Sequence, residues 1–262
     1  MRNLYSNLFR NLKLSIFLCS LLLVSACSTL GESNDPEKMS AEALYKASKS
    51  AMNMADYETA LSFLETLESR FPFGRYTQQA QIDIIYAYYK YDEPESAIGA
   101  AERFIKLYPK HPNVDYAYYM RGLSSFNKGM GSLDYLFNLD PVERDPGSAK
   151  EALHHFSNLV EQFPNSRYVD DARQRVIYLH NNLAKHDVSV ARFYLDRKAY
   201  VAAARRASEV IQNYQRTNAS REALAILSEA YQNLGLDSLA DDVKRIQQLN
   251  NLPSTSTGIS GE

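Results

Sequence analysis

Tryptophan is absent from the 262 residues, and cysteine occurs only at positions 19 and 27. Two cysteines exclude a disulfide-stapled scaffold and a four-cysteine zinc site, so the fold must rest on packing. Neither sign of charge dominates, with 29 Lys+Arg against 31 Asp+Glu. That balance excludes the basic footprint of a nucleic-acid binder, and no nucleic acid is expected as a partner. Long apolar runs are missing too. The stretch from Leu14 to Val24 covers eleven residues and contains Ser15 and Ser20, whereas a membrane-spanning helix needs roughly 20. Familiar catalytic patterns are also lacking: there is no HExxH, GxSxG or Walker loop. His154 and His155 are adjacent and His180 and His186 are six apart, so neither pair grips a metal from one helix face as an i, i+4 pair does. Asp170-Asp171 and Asp241-Asp242 read as helix-start or solvated acids. These absences predict no enzyme activity, no cofactor and no metal.

What is present begins with an address. Arg2, Arg10 and Lys13 precede the short apolar core, the layout of a secretory signal. The core runs into Leu23-Val24-Ser25-Ala26-Cys27, which resembles the lipobox of bacterial lipoproteins. By that resemblance residues 1–26 are removed and Cys27 carries the acyl chains, each buried CH2 adding about 0.8 kcal/mol of membrane affinity. A cleaved signal with an incidental cysteine is the plainer alternative. Ser28, rather than Asp, follows the cysteine, which implies export to the outer membrane. Residues 27–36 are then a lipidated tether and 253–262 a disordered tail. Loss of the three basic residues leaves 26 Lys+Arg against 31 Asp+Glu, a side-chain balance of −5.

Between tether and tail lies an internal ruler. The aromatics Phe71, Tyr108, Phe163 and Tyr214 each have an alanine eleven residues before them (Ala60, Ala97, Ala152, Ala203) and another nine after (Ala80, Ala117, Ala172, Ala223). The basic period is 37 residues, slightly above the roughly 34 of the tetratricopeptide repeat. Small residues seven after each first-helix alanine, at Ser50, Ala87, Ser124 and Ala230, are expected to let two helices approach closely. Leu64, Leu67 and Phe71, like Phe156, Leu159 and Phe163, fall on one helical stripe. Pro72, Pro109 and Pro164 end the second helices, while Asp56, Glu93-Pro94 and Asp145-Pro146 mark where those helices begin. The spacing predicts an all-α chain, a right-handed superhelical solenoid of five tetratricopeptide-like helix pairs over 37–252. Its units lie at about 40–72, 77–109, 114–164, 168–215 and 220–250.

Two units carry insertions. Unit three has the glycine- and proline-bearing segment 126–147, an expected loop or short helix. Unit four has fourteen extra residues and no Gly or Pro from Asn165 to Asn233. That predicts one long helix from about Tyr168 to Leu195, projecting beyond the stack. The first helices of units two and three, QIDIIYAYYKYDE and DYAYYMRGL, carry more tyrosines than one buried face accepts. Tyr86, Tyr89 and Tyr118 are candidates for a peptide groove, with Arg75, Lys90 and Arg121 as cations for a carboxylate. Their alternative role is core packing with hydroxyls at the rim.

The stretches RFPFGRYTQQ, DIIYAYYK, HPNVDYAYYMRGL, RDPGSAKEAL, FPNSRYVDDA and LAKHDVSVARFY resemble, in order and across nearly the whole mature chain, the BamD or ComL family of lipoproteins. The resemblance implies a scaffold of the β-barrel assembly machinery at the periplasmic face of the outer membrane. Units one and two would recognise C-terminal segments of unfolded outer-membrane proteins. Units three to five would hold the periplasmic domain of the barrel subunit BamA, with BamC and BamE as further partners. Arg206 matches the family's arginine in the second helix of unit four and, with neighbouring Arg205, would meet an acid on BamA. Arg75 stands where many relatives have proline, and Gln215 replaces the usual unit-ending proline. The rival readings are a tetratricopeptide lipoprotein adaptor for pilus assembly or cell-wall synthesis, and an enzyme's helical platform, for which no second domain remains.

Overall fold

The computed structural model describes residues 35–128 and 146–251. Cys27, nearly all of the tether, most of the 126–147 insertion and the tail lie outside the described residues. Among those described, a short 3-10 turn, Pro36–Lys38, precedes ten α-helices, and there is no strand. The helices are α1 Ala41–Asn53, α2 Tyr57–Arg70, α3 Thr77–Lys90, α4 Pro94–Leu107 and α5 Val114–Lys128. There follow α6 Pro146–Gln162, α7 Val169–Asp196, α8 Tyr200–Asn213, α9 Asn218–Asn233 and α10 Asp237–Asn251. Each packs against the next, and α3 also meets α5 while α7 meets α9. This is an all-α repeat arrangement, in which a helix buries its stripe mainly against sequence neighbours. None of the described helices is long and apolar enough to cross a membrane.

The ends of the helices show how the ruler works. At the close of α2, α4, α6 and α8 the aromatics Phe71, Tyr108, Phe163 and Tyr214 donate their amides to Leu67, Phe104, Leu159 and Val210 at 2.8 or 2.9 Å. The ring of each thus sits at the point where the chain leaves the helix. Inside four of the pairs the turn is closed by one left-handed residue: Ala55, Asp92, Lys198 and Gly235. The next amide bonds five residues back, Asp56 to Ala51, Glu93 to Tyr88, Ala199 to Tyr194 and Leu236 to Tyr231, at 2.9 or 3.0 Å. That is a Schellman closure, which satisfies carbonyls left free at a helix end. Every one of these residues lies five before a second-helix alanine. Side-chain caps then start α1, α2 and α9, where Ser40, Asp56 and Thr217 accept from the amides of Ala43, Thr59 and Ser220.

Ala60, Ala80, Ala97, Ala117, Ala152, Ala172, Ala203 and Ala223 are fully buried. The first unit departs from the ruler. Ala43 is half-buried and Ser50 exposed, while Leu44, Ser48 and Ala51 are the buried residues of α1. Helix α1 still packs on α2, but through a face shifted by one position from Ala43 and Ser50 to Leu44 and Ala51. A closer approach occurs at Gly122 on α5, where a Cβ would stand 2.7 Å from the ring of Phe156 on α6. Helix α7 has 28 residues, a length of about 42 Å at 1.5 Å per residue. It does not project free of the stack. Buried residues run from Val169 to Leu195; Leu179 belongs to a core shared with units one to three, and Leu183 to the core of units four and five.

Candidate functional site

The tyrosine-rich first helices are held in register by the alanine contacts, and their remaining side chains form a continuous network across α1, α3, α5 and the start of α7. On α1, Tyr45 stacks on Tyr76 with ring centroids 5.0 Å apart. Buried Asp83 on α3 accepts from Lys49 at 3.3 Å and from the side-chain Nε2 of Gln79 at 3.1 Å. Burial, with Asp83 second, pushes the Tyr45 phenol up to about 12, so it stays a neutral donor at physiological pH. Tyr86 meets Tyr57 edge-on at 6.3 Å. Tyr116 is pushed well above the usual phenol range by burial first, then by Tyr168, Tyr86 and Asp83.

The network continues through Tyr119, which stacks on Tyr168 at 4.7 Å and donates to Asp171 at 2.8 Å. Burial pushes the Asp171 carboxyl up, but hydrogen bonds from Arg175, at 2.6 Å, and from Tyr119 hold it below the usual range. Tyr88 points elsewhere and is bonded to Glu65 on α2. These phenols are half-buried: the hydroxyls of Tyr88 and Tyr119 are bonded to carboxylates, and the rings of Tyr45, Tyr86 and Tyr116 lie against other tyrosine rings.

The sequence candidates divide between two faces. Tyr86, Tyr89 and Lys90 occupy the last turns of α3; both tyrosines are half-buried and Lys90 is exposed. Arg75 lies before α3, exposed and over the Tyr76 ring at 5.2 Å. Tyr118 and Arg121 are not brought to this face, because Tyr118 is two residues from Tyr116 on one helix and points away from it. Tyr118 instead packs on Phe163 at 5.0 Å. The Arg121 guanidinium lies over Tyr118 at 5.0 Å and 3.7 Å from Glu102, and burial lowers its pKa. Sequence reasoning missed Tyr45, Lys49 and Asp83, and read Asp171 only as a helix-start or solvated acid, whereas it also binds Tyr119 and Arg175. For Asp83 the signal was a charged residue in an otherwise apolar helical stretch, QIDIIYAYY.

Arg205 and Arg206 on α8 are exposed and share one carboxylate, Glu209, at 3.2 Å each. Two guanidiniums against one acid leave one positive charge available to a partner. Arg205 also borders an open notch of about 560 Å³ with Tyr200, Val201 and Leu234. Among the described residues, no group of three or more His, Cys, Asp or Glu is placed to hold a metal. The chemistry on offer is hydrogen bonding, ring contact and charge.

The family model YfiO, described as outer membrane lipoprotein, matches residues 37–246. The outer membrane protein assembly factor BamD of Neisseria meningitidis serogroup A is 44% identical over 233 residues, covering 87% of each chain. The protein of that name from Vibrio cholerae is 42% identical over 209 residues, 80% of this chain and 87% of that one. The one from Haemophilus influenzae is 35% identical over 241 residues, 92% and 91% respectively. Among solved structures, MamA protein matches with a TM-score of 0.36 and 12% identity over 80% of this chain and 90% of that chain, too loose a likeness to add to the fold.

Proposed function

Because the chain belongs to the outer membrane lipoprotein family YfiO, we propose that it is an assembly factor for outer-membrane β-barrel proteins, as its relatives are named. In this reading Cys27 bears the lipid that ties the chain to the periplasmic face of the outer membrane. The first-helix face of units one to three receives C-terminal segments of unfolded outer-membrane proteins. The second half, with Arg205 and Arg206, docks the periplasmic domain of BamA, and BamC and BamE join the assembly. The chain performs no catalysis.

The observation that carries the reading is identity of up to 44% along 87% of the chain to proteins with that name. It favours barrel assembly over a pilus or cell-wall adaptor. What supports the peptide face is its surplus of half-buried phenols, whose rings and hydroxyls suit the edge of an extended chain. Photocrosslinkers at Tyr86 and Tyr89 should capture a C-terminal peptide of an outer-membrane protein, and a crosslinker at Tyr118, on the other face, should capture less. Silence at both Tyr86 and Tyr89 removes the groove assignment. Arg206→Glu should weaken copurification with the barrel subunit; undiminished recovery takes Arg206 out of the interface. Palmitate labelling that survives Cys27→Ala overturns the anchor.

A further inference from the structure

The turn from α8 into α9 and the adjoining side of α10 border two open cavities of about 500 and 380 Å³. They share Arg221, Leu224 and Asn250, and so form one furrow. Three cations line it, Arg216, Arg221 and Lys244, and no carboxylate does. Lys244 reaches Asp241 on its own helix at 3.3 Å. Arg216 and Arg221 have no ion pair among the described residues, and two acids of the same helices are paired with other cations, Glu222 with Arg192 at 2.8 Å and Asp242 with Arg245 at 3.1 Å. A concentrated positive strip on a chain of net charge −2 raises the local concentration of anionic partners.

Two more features narrow the partner. Gln215, Gln247 and Gln248 stand among the cations, and an amide side chain offers donors and an acceptor together. Main-chain peptide groups need both. The same lining holds Leu224, which is buried, and Ile246, which is 44% exposed, an apolar floor for one side chain. We infer that the furrow docks an extended acidic segment of a partner protein. Its carboxylates meet Arg216, Arg221 and Lys244, its backbone meets the glutamines, and an apolar residue rests on Leu224 and Ile246. An anionic lipid surface would use the cations alone and leave the amide acceptors and the apolar floor without a role. The inference rests on the second half being the docking half, but it uses no residue of the Arg205–Arg206 pair.

The test uses the full chain and fluorescence anisotropy with a short labelled peptide of alternating glutamate and leucine. Its controls are the same peptide with glutamine for glutamate, and vesicles of phosphatidylglycerol. Replacing the furrow's cations by Arg216→Glu, Arg221→Glu and Lys244→Glu should weaken glutamate-peptide binding roughly tenfold or more. Raised salt should weaken it in the unaltered chain. The charge-reversed chain should in turn bind a lysine-and-leucine peptide. All three side chains are exposed, and the milder Arg216→Gln with Arg221→Gln should reproduce the loss with an unchanged far-UV spectrum. Equal binding of the glutamate and glutamine peptides overturns the inference. So does undiminished binding by the charge-reversed chain, or capture of vesicles but not peptide. Arg206→Glu keeps the furrow intact, so lost copurification with retained peptide binding separates the two readings.

Discussion

At the scale of single residues, the fold turns on positions where helices come very close or water is excluded. Gly122 lets α5 approach α6 so nearly that a methyl group would enter the Phe156 ring at 2.7 Å. Phe156 is fully buried and has no room to retreat. Gly122→Ala should therefore cost about 1–3 kcal/mol, read as a lower urea midpoint with unchanged slope; Phe156→Leu in the same chain should recover part of it. Beside this contact, His155 is 7% exposed and its Nδ1 lies 2.9 Å from Ser125 Oγ. Burial first, then the Arg121 guanidinium and His154, lower its pKa to about 4 from 6.5. Above pH 6.5 the imidazole is neutral in both folded and unfolded chains and contributes no slope. As pH falls from 6.5 toward 4, the unfolded chain takes up a proton that the folded one refuses, so stability is lost, by up to about 3 kcal/mol. Urea unfolding titrated across that window should show the loss, and His155→Gln, which keeps a partner for Ser125, should flatten it.

At the scale of elements, α7 is the part on which cooperativity depends. Leu179 ends one core and Leu183 opens the other, with exposed Asn181 between them. Asn181→Pro removes one helical hydrogen bond and presses its ring on the carbonyl of Ile177, at a cost of about 3 kcal/mol or more. Because that break falls between the cores, calorimetry should resolve two unfolding transitions where the unaltered chain gives one; a single transition would place the coupling elsewhere. The sequence made α7 legible because fourteen surplus residues without Gly or Pro have no alternative to continuing a helix. The buried alanines were legible for a related reason, since helices this close admit little else. The left-handed turns were not. Ala55 and Lys198 adopt φ 58° and 61° without any compositional sign, because one such residue costs only about 1–2 kcal/mol and the closure of carbonyls offsets it. The tyrosines were visible as a surplus, but their partners were not. Tyr119 and Asp171 are 52 residues apart, and only the stacking of unit three on unit four brings them together.

At the scale of the whole molecule, two cores carry the two proposed binding surfaces: the first-helix network on units one to three and the start of α7, and the basic edge on units four and five. Whether these surfaces influence each other depends on what joins them. Helix α7 is buried along one face from Val169 to Leu195, and energetic coupling through it would require a second arrangement of nearly equal stability. Its core packing on α6, α8 and α9 leaves no slack for one, since displacing it would open both cores at once. Joint unfolding and independent binding are thus compatible: the first needs only that α7 break as a unit, the second that it stay whole while either surface is occupied. Tyr86→Ala should weaken capture of an outer-membrane protein peptide, and Arg206→Glu should weaken copurification with the barrel subunit. The double variant should show each loss at its single-variant size, with coupling below about 0.5 kcal/mol. Peptide affinity measured with and without saturating partner gives the same quantity from the other side, because binding linkage is reciprocal. A peptide affinity that shifts several-fold when the partner is bound would show that α7 has two arrangements and that the molecule relays occupancy from one half to the other.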